Sequence, residues 1–425
     1  MAQYETVAQL SGLFKEVYAD VIQWLVPDIA ITTLDIKFAS GDKMPGNYYH
    51  QPVLVSRPAG FTYTAPGSGV VTLNNSIAAT LQDGQVRGSQ ITLREAIDIE
   101  AAARASTGGR RAFENTVGLI TEAMRDAMST RLELAVLYGQ MGIGICLSSA
   151  NASATTTNVT ITVADWAAGI WAGLENATVQ FYTSNTTLVS SSTDSIFTVT
   201  TVTNSSRVVK FTGTATGITA LDIAIAANPS LVYIYFNGAF GNDMAGIQAI
   251  LANTGALFNI NASTYSLWAA NTSSVGSGPL TFAKLQSGIG QAVSRGLKKD
   301  VKVYMNPVTY GNINSDMAAS RRFDSSYNSG KGTNGSERIQ FYGINGIIEL
   351  VPHPAIKQGY AFAVPTQNMK RIGEQEPSFK IPGMGEDMFV LVQDKSAFEM
   401  RMYTSQAVFL ETPAQAVYFT GIVNT

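Results

Sequence analysis

Among side chains suited to acid–base, nucleophilic or metal chemistry, histidine and cysteine are scarce: two histidines, His50 and His353, and one cysteine, Cys146. Common metal sites gather several His, Cys or carboxylate ligands at close spacing. Neither histidine has such neighbours, and both sit near prolines in extended sequence, so each is expected to be structural. A lone cysteine with two remote histidines is weak support for a thiol nucleophile, and a packed thiol is the expectation. Gly330, Gly332 and Gly335 spell G-x-G-x-x-G, but SSYNS precedes them and strand sequence follows, whereas the dinucleotide fingerprint needs a strand before and a helix after. Lys331 is followed by Gly332 rather than Ser or Thr, which excludes the nucleotide phosphate loop. Glu374, Glu376, Glu386 and Asp387 are neighbouring carboxylates of the type used in acid–base catalysis. Their flanking Gly and Pro residues place them in exposed loops. The Asn-x-Ser/Thr triplets at Asn151, Asn158, Asn176, Asn185 and Asn204 read as by-products of a Ser/Thr/Asn-rich β segment. No catalytic, cofactor-binding or metal-binding residue is expected, because nothing assembles nucleophile, base and orienting group in one place.

The chemistry therefore lies in surfaces. Charged residues make up 14% of the 425-residue chain and hydrophobic residues 45%, against an ordinary charged share of roughly 25%. A surface so short of charge would promote association, and partner subunits are expected to cover it. Lys and Arg total 28 against 31 Asp and Glu, net −3, with no basic block, so tight phosphate-neutralising binding to nucleic acid is excluded. No apolar run reaches the roughly 18 residues of a membrane helix. The opening sequence carries Glu5, Glu16 and Asp20 without a basic stretch, which argues against a secretory signal, and the single cysteine fits a reducing compartment. Synthesis in a cytoplasm is the expectation.

The element that must organise these surfaces is a helix over residues 112–140. Phe113, Val117, Ile120, Met124, Met128, Leu132 and Val136 recur at helical steps, and Glu122, Arg125, Asp126 and Glu133 mark the wetter faces. At about 1.5 Å per residue this is a rod roughly 40 Å long, ended by Gly139 and Gly142. Ahead of it, residues 4–26 have an amphipathic pattern ending before Pro27, and the sequence from Ile31 to Leu93 reads as extended. Four prolines, seven glycines and alternation in FTYT and ITLREAIDIE predict a projecting hairpin, with Ile91, Leu93, Ile97 and Ile99 sharing one face.

After the helix, CLSSANASATTTN reads as a linker. Residues 159–236 then shift to Thr, Ser, Asn and β-branched types, and the pieces ATVQFYT, SIFTVTTVT and RVVKFTG predict a small sandwich or barrel with a turn at Asn204–Ser206. Further on, Phe282, Leu285, Ile289 and Val293 form a helical stripe capped by Thr281 and closed by Gly296. VKVYMNPVTY is a strand running into a helix with Asn306 as N-cap and Pro307 at the first helical position. RIQFYGINGIIELVPHP is a hairpin with Asn345-Gly346 at its turn, and DMFVLVQ, FEMRMYTSQAVFL and AVYFTGIV are strands. The fold class is α+β.

This order of arm, hairpin, long helix and mixed α/β remainder, with TRLELAVLYGQMGIG, GAFGNDMAGIQAILANTGALFNI, VYMNPVTYGNINSDM and VPHPAIKQGYAFAVP, resembles the major capsid proteins of tailed double-stranded DNA bacteriophages and their Hong Kong 97-type fold. The resemblance implies an N-terminal arm over 1–40, an extended loop over 41–90, and a peripheral domain over 91–158 containing the spine helix 112–140. It further implies an inserted β-rich domain over 159–236, an axial domain over 237–385 with returns to the peripheral domain, and C-terminal strands over 386–425. It implies hexamers and pentamers tiling an icosahedral virion shell around packaged DNA, without sequence-specific DNA contact and without a membrane. A separate scaffolding protein, a portal and a decoration protein are the implied partners. Relatives that crosslink covalently use a lysine of the extended loop, but here only Lys43 stands at its start and no lysine follows before Lys210, so a non-covalent shell is expected. The alternative from another class is a β-rich surface adhesin or fibre-like binding module.

Overall fold

The computed structural model describes residues 29–39, 48–98, 116–321, 339–380, 389–392 and 397–424. The amphipathic stretch 4–26, the glycine motif at 330–335, Ile99, and Glu386 with Asp387 lie outside the described residues.

The long helix spans Thr116–Tyr138. Met124 and Met128 are buried near its middle, with Ile97, Phe379, Met400 and Met402 around them, and Ile120 packs on the same cluster. From Leu132 to Gly139 every residue is buried, so the helix leaves an amphipathic regime and enters a core that surrounds it. Glu133, expected on a wet face, is therefore wholly buried. The helix stops where Gln140 and Gly142 take left-handed conformations, φ 66° and 76°. Gly139 serves a different purpose from termination: a Cβ there would collide with the Met244 carbonyl oxygen, and Gly246 N–H donates to the Gly139 carbonyl at 3.0 Å.

Two strands, β1 (Tyr49–Ser56) and β2 (Thr80–Val86), pair antiparallel from Tyr49↔Val86 to Ser56↔Thr80. The expected hairpin is present among these residues, with a long connection from 57 to 79 at its tip. The preceding segment is not extended throughout, because Thr32–Asp35 forms a single helical turn. β3 (Ser89–Asp98) leaves the hairpin and pairs with the long strand β20 (Ala397–Leu410). β18 (Met369–Ser378) and β19 (Phe389–Leu391) pair with β20 in turn, and the long helix packs on this sheet.

A second β unit follows the helix. The expected linker is instead β4 (Gly144–Ser153), which pairs with β5 (Thr156–Ile161). Small and polar residues are compatible with a strand here because only Gly144 and Cys146 of β4 are fully covered, the rest lying half or fully exposed. β6 (Thr178–Thr183), β7 (Thr187–Leu188), β8 (Phe197–Thr203), β9 (Val208–Thr212) and β10 (Val232–Phe236) complete it. The pairing order β10-β4-β5-β9-β8-β6 closes on itself through β6 and β10, giving an all-antiparallel six-stranded barrel with β7 on its flank. Phe181 sits edge to face against Phe197 at 5.0 Å and Phe211 at 5.1 Å in its interior. The turn at 204–207 between β8 and β9 falls where expected. Residues 215–227, read within the β segment, form the helix Ala215–Ala227, whose N-cap Thr214 accepts the Gly217 N–H. Burial of Ile218, Leu221 and Ile225 outweighs the strand preference of its β-branched residues.

Past a short ribbon of β11 (Ala256–Leu257) and β12 (Ile260–Asn261), the third unit is a sheet of β13 (Asn271–Gly278), β14 (Val301–Met305), β15 (Ile339–Gly343), β16 (Gly346–Pro352), β17 (Ala361–Val364) and β21 (Val417–Ile422). Its order is β13-β21-β17-β14-β16-β15. Helix Phe282–Ser294 begins at Thr281, whose hydroxyl accepts the Lys284 N–H, and buries Leu285 and Ile289 as expected. Asn306 caps Pro307–Arg321 through Val308 N–H at 3.0 Å. The β15–β16 turn sits one residue earlier than expected: Gly343 opposes Gly346, so Ile344 and Asn345 are its central residues. Gly346, at φ 132°, opens β16 beside Asp300.

Candidate assembly surfaces and the buried junction behind them

The residues singled out for chemistry do not converge. His50, on β1, pairs with Asp83 of β2 at 2.7 Å in an exposed cross-strand contact, and its hydrogen bond with Asp83 leads the effects that hold the Asp83 carboxyl below its usual range. Cys146 is buried in the barrel wall and burial pushes its thiol far up, which makes it the packed thiol expected. Glu374 and Glu376 are exposed, but on strand β18 rather than in loops, and Glu376 pairs with Arg371 at 3.3 Å. Among the described residues no group of three His, Cys, Asp or Glu could hold a metal ion, and no helix is long and apolar enough to cross a membrane.

His353, expected to be structural, has a buried partner that its sequence neighbours do not show. It follows β16 and is fully buried, with Nε2 at 2.8 Å from Glu133 Oε1. Its Nδ1 accepts the Ala355 N–H at 3.1 Å, which leaves the proton on Nε2 to be donated to the carboxylate. The same carboxylate accepts the backbone N–H groups of Thr32 and Thr33, both at 2.8 Å. Burial alone would raise the Glu133 carboxyl; His353 and, after it, Thr33 outweigh it, and its pKa lies below the ordinary value. Glu133 thus fixes the start of the short N-terminal helix against the long one. On that short helix Asp35 pairs with Lys302 and accepts the Tyr304 hydroxyl at 2.8 Å. Arg371 Nε donates to the Ile36 carbonyl at 2.8 Å, and Arg371 N–H to the Lys37 carbonyl at 3.2 Å. Residues 29–39 are a strap joining the long helix, the six-stranded sheet and β18.

A second buried pair anchors the barrel. Lys357 Nζ lies 3.3 Å from Asp165 Oδ1, donates to the Gly142 carbonyl at 3.1 Å and stands 4.5 Å over the Tyr138 ring. Burial pulls the Lys357 amine below its usual range, and Asp165 opposes that shift. Gly169 N–H to Pro354 O and Gly359 N–H to Ala164 O, at 3.2 and 2.8 Å, add backbone bonds across the same seam.

The exposed surface is concentrated on the hairpin. Its tip and β2 present Phe61, Tyr63, Val70, Leu73, Ile77 and Leu81 to solvent, with Val70 at 108% and Tyr63 at 91% exposure. Only a few hydrogen bonds brace the tip, among them Ala59 N–H to Ile77 O at 3.2 Å and Asn74 Nδ2 to Phe61 O at 2.9 Å. An apolar segment held this far from any core is under-buried in one copy of the chain.

No protein-family model matches the sequence, and no curated protein matches it. Solved structures do. The chain is similar to a subunit of the cyanophage A-1(L) capsid asymmetric unit, with a TM-score of 0.58 and 9% identity over 98% of this chain and 99% of that one. It is also similar to a subunit of the capsid of the native GTA particle, with a TM-score of 0.51 and 8% identity over 99% of this chain and 100% of that one. The chain therefore has a mixed α+β fold matching that of phage-type capsid proteins.

Proposed function

We propose that this chain is the major capsid protein of a tailed double-stranded DNA bacteriophage, a structural subunit that self-assembles into hexamers and pentamers of an icosahedral shell and catalyses nothing. The observation that carries the reading is the pairing of a capsid-type fold over 98% of the chain with a hairpin whose apolar tip has no cover among the described residues. In this reading Thr116–Tyr138 is the spine helix, the hairpin is the extended loop that lies across a neighbour, and the six-stranded sheet belongs to the axial domain. The barrel, beginning at β4, is an insertion on the shell exterior. Packaged DNA is enclosed rather than gripped, consistent with a net charge of −3. The shell is held non-covalently, is built in the host cytoplasm with a scaffolding protein, and takes a portal and decoration protein as further partners. The adhesin alternative gains no support from the Thr/Ser/Asn-rich segment, which closes into one barrel bound to the rest of the fold.

Sedimentation velocity and negative-stain imaging of the protein, expressed alone and with its neighbouring genes, test the proposal. Closed shells, capsomers or shell fragments are expected; a clean monomer in both preparations overturns it. A probe fused at Asn204 is expected to be reachable on intact particles, and an inaccessible probe removes the exterior placement of the barrel.

A further inference from the structure

A cavity of about 360 Å³ opens where three parts of the chain meet: the first residues of β3, the middle of the long helix, and the loop that leaves the barrel after β10. Small-molecule sites span roughly 300–1,000 Å³, so the volume suits a compact ligand. Ile91, Leu93, Met128 and Phe236 give it apolar walls, and Arg131 and Asp243 are the two charged residues that line it. The Arg131 guanidinium lies on the Phe236 ring, 3.1 Å from its centre, and its Nη1 is buried without a hydrogen-bond partner among the described residues. Burial lowers its pKa to about 10, so it stays charged at neutral pH. One Asp243 oxygen accepts the Met244 N–H at 2.8 Å. Burial is the leading effect on the Asp243 carboxyl and pushes it up to about 6, against the opposing pull of that bond and of Arg131.

The pocket has donors and lacks an acceptor. Arg131 has N–H groups to give, and Asp243 in its acid form has an O–H. A single carboxylate answers both, one oxygen taking an Arg131 N–H and the other the Asp243 O–H. The filled site then holds one cation, one anion and one neutral acid, so no net charge is buried. A doubly charged anion would exceed the one cation, and a cationic ligand would meet Arg131 with like charge. The rest of the ligand is apolar, because it lies against Ile91, Leu93 and Met128 and gains by leaving water. We infer that this cavity binds a small aliphatic monocarboxylate, its carboxylate held by Arg131 and Asp243 and its chain laid along those three side chains. The inference goes beyond the shell-subunit reading and does not depend on it, since every wall belongs to one copy of the chain.

Binding is linked to a proton. Asp243 is a donor below pH 6 and an anion above it, and the anion repels the incoming carboxylate, so affinity is full at low pH and falls as pH rises. β3 and the barrel's exit loop bring no other titratable group to the lining. Tyr138 and Tyr235 share a smaller hollow with Asp243, and burial pushes both phenols up, so they stay neutral through this range.

Isothermal titration of octanoate into the full chain tests the site, with octanol as the same aliphatic body lacking the charge. At pH 6 octanoate is expected to bind roughly tenfold or more tightly than octanol, and Arg131→Met to remove that preference. Between pH 6 and pH 8 the octanoate affinity of the parent should fall roughly tenfold or more, while that of Asp243→Asn, which keeps a donor and cannot ionise, stays level. Ala127→Phe, which fills the cavity from an exposed position of the long helix, should weaken octanoate and octanol alike. Absence of octanoate binding at pH 6, equal affinity for octanoate and octanol, or undiminished binding in both Arg131→Met and Ala127→Phe overturns the inference. A fall with pH in Asp243→Asn as large as in the parent overturns it too. None of these readings depends on particle formation, so a failure here leaves the shell reading standing.

Discussion

Glu133 and His353 stand 220 residues apart in sequence and meet at 2.8 Å with neither side chain reachable by solvent. Their contact ties the long helix to the end of β16, and the carboxylate's other partners, Thr32 and Thr33, bring in the N-terminal strap. One charge thereby holds three segments that are local neighbours nowhere in the sequence.

Removing that charge without filling its place should be severe. Glu133→Ala strands two backbone donors and the His353 N–H, and a loss of about 3–5 kcal/mol is expected from denaturant titration. The pH dependence has a definite sign. Because the folded carboxyl lies below the ordinary value, its contribution is fully present above the unfolded pKa, about 4.3, and is lost as pH falls through the folded pKa. Stability measured from pH 6 downward should fall less steeply below pH ~4 in Glu133→Gln than in the parent.

Met124→Asp places an unpaired charge among Met128, Met400 and Met402. A loss of several kcal/mol and insoluble protein are expected, and normal yield and particles from this variant would show that the buried face of the helix is wrongly assigned.

Lys357→Met leaves Asp165 buried against an uncharged neighbour and should cost about 3–5 kcal/mol, read as a lowered midpoint of thermal or urea unfolding. The double variant Lys357→Met with Asp165→Asn should recover most of that loss, since both buried charges are then gone.

Replacing residues 60–76 by a short glycine turn between Ala59 and Ile77 removes exposed surface and little else. The unfolding free energy should change by no more than about 0.5 kcal/mol, while particles fail to form in negative-stain fields. Loss of folding in step with loss of particles would mean the tip supports its own subunit.

Local signals were readable where one residue type fixes the backbone. Asn306 with Pro307 marks a helix start, Thr281 another, and FEMRMYTSQAVFL and AVYFTGIV a pair of strands, β20 and β21; all four lie where the side chains place them. The strand β4 was hidden because its Ser, Ala and Asn residues owe their conformation to the partners β5 and β10. Helix Ala215–Ala227 was hidden for the opposite reason, its β-branched residues favouring a strand until burial decided otherwise. Glu133 looked solvated because three of the surrounding charges on the helix, Glu122, Arg125 and Asp126, lie on partly or fully exposed faces. Its unbroken run of apolar neighbours from Leu134 to Tyr138 was the one available sign that the helix ends inside a core. The partner on His353 is a tertiary fact that no spacing could supply.

The barrel's two chain ends leave side by side, held by the backbone contact between Gly139 and Gly246. A unit whose entrance and exit share one doorway can be gained or lost in evolution without rerouting the rest of the chain. Its strands close into a ring, so only β7 leaves a short open border on the barrel. The same doorway is where a foreign module could be spliced for display, with the host path left as it was.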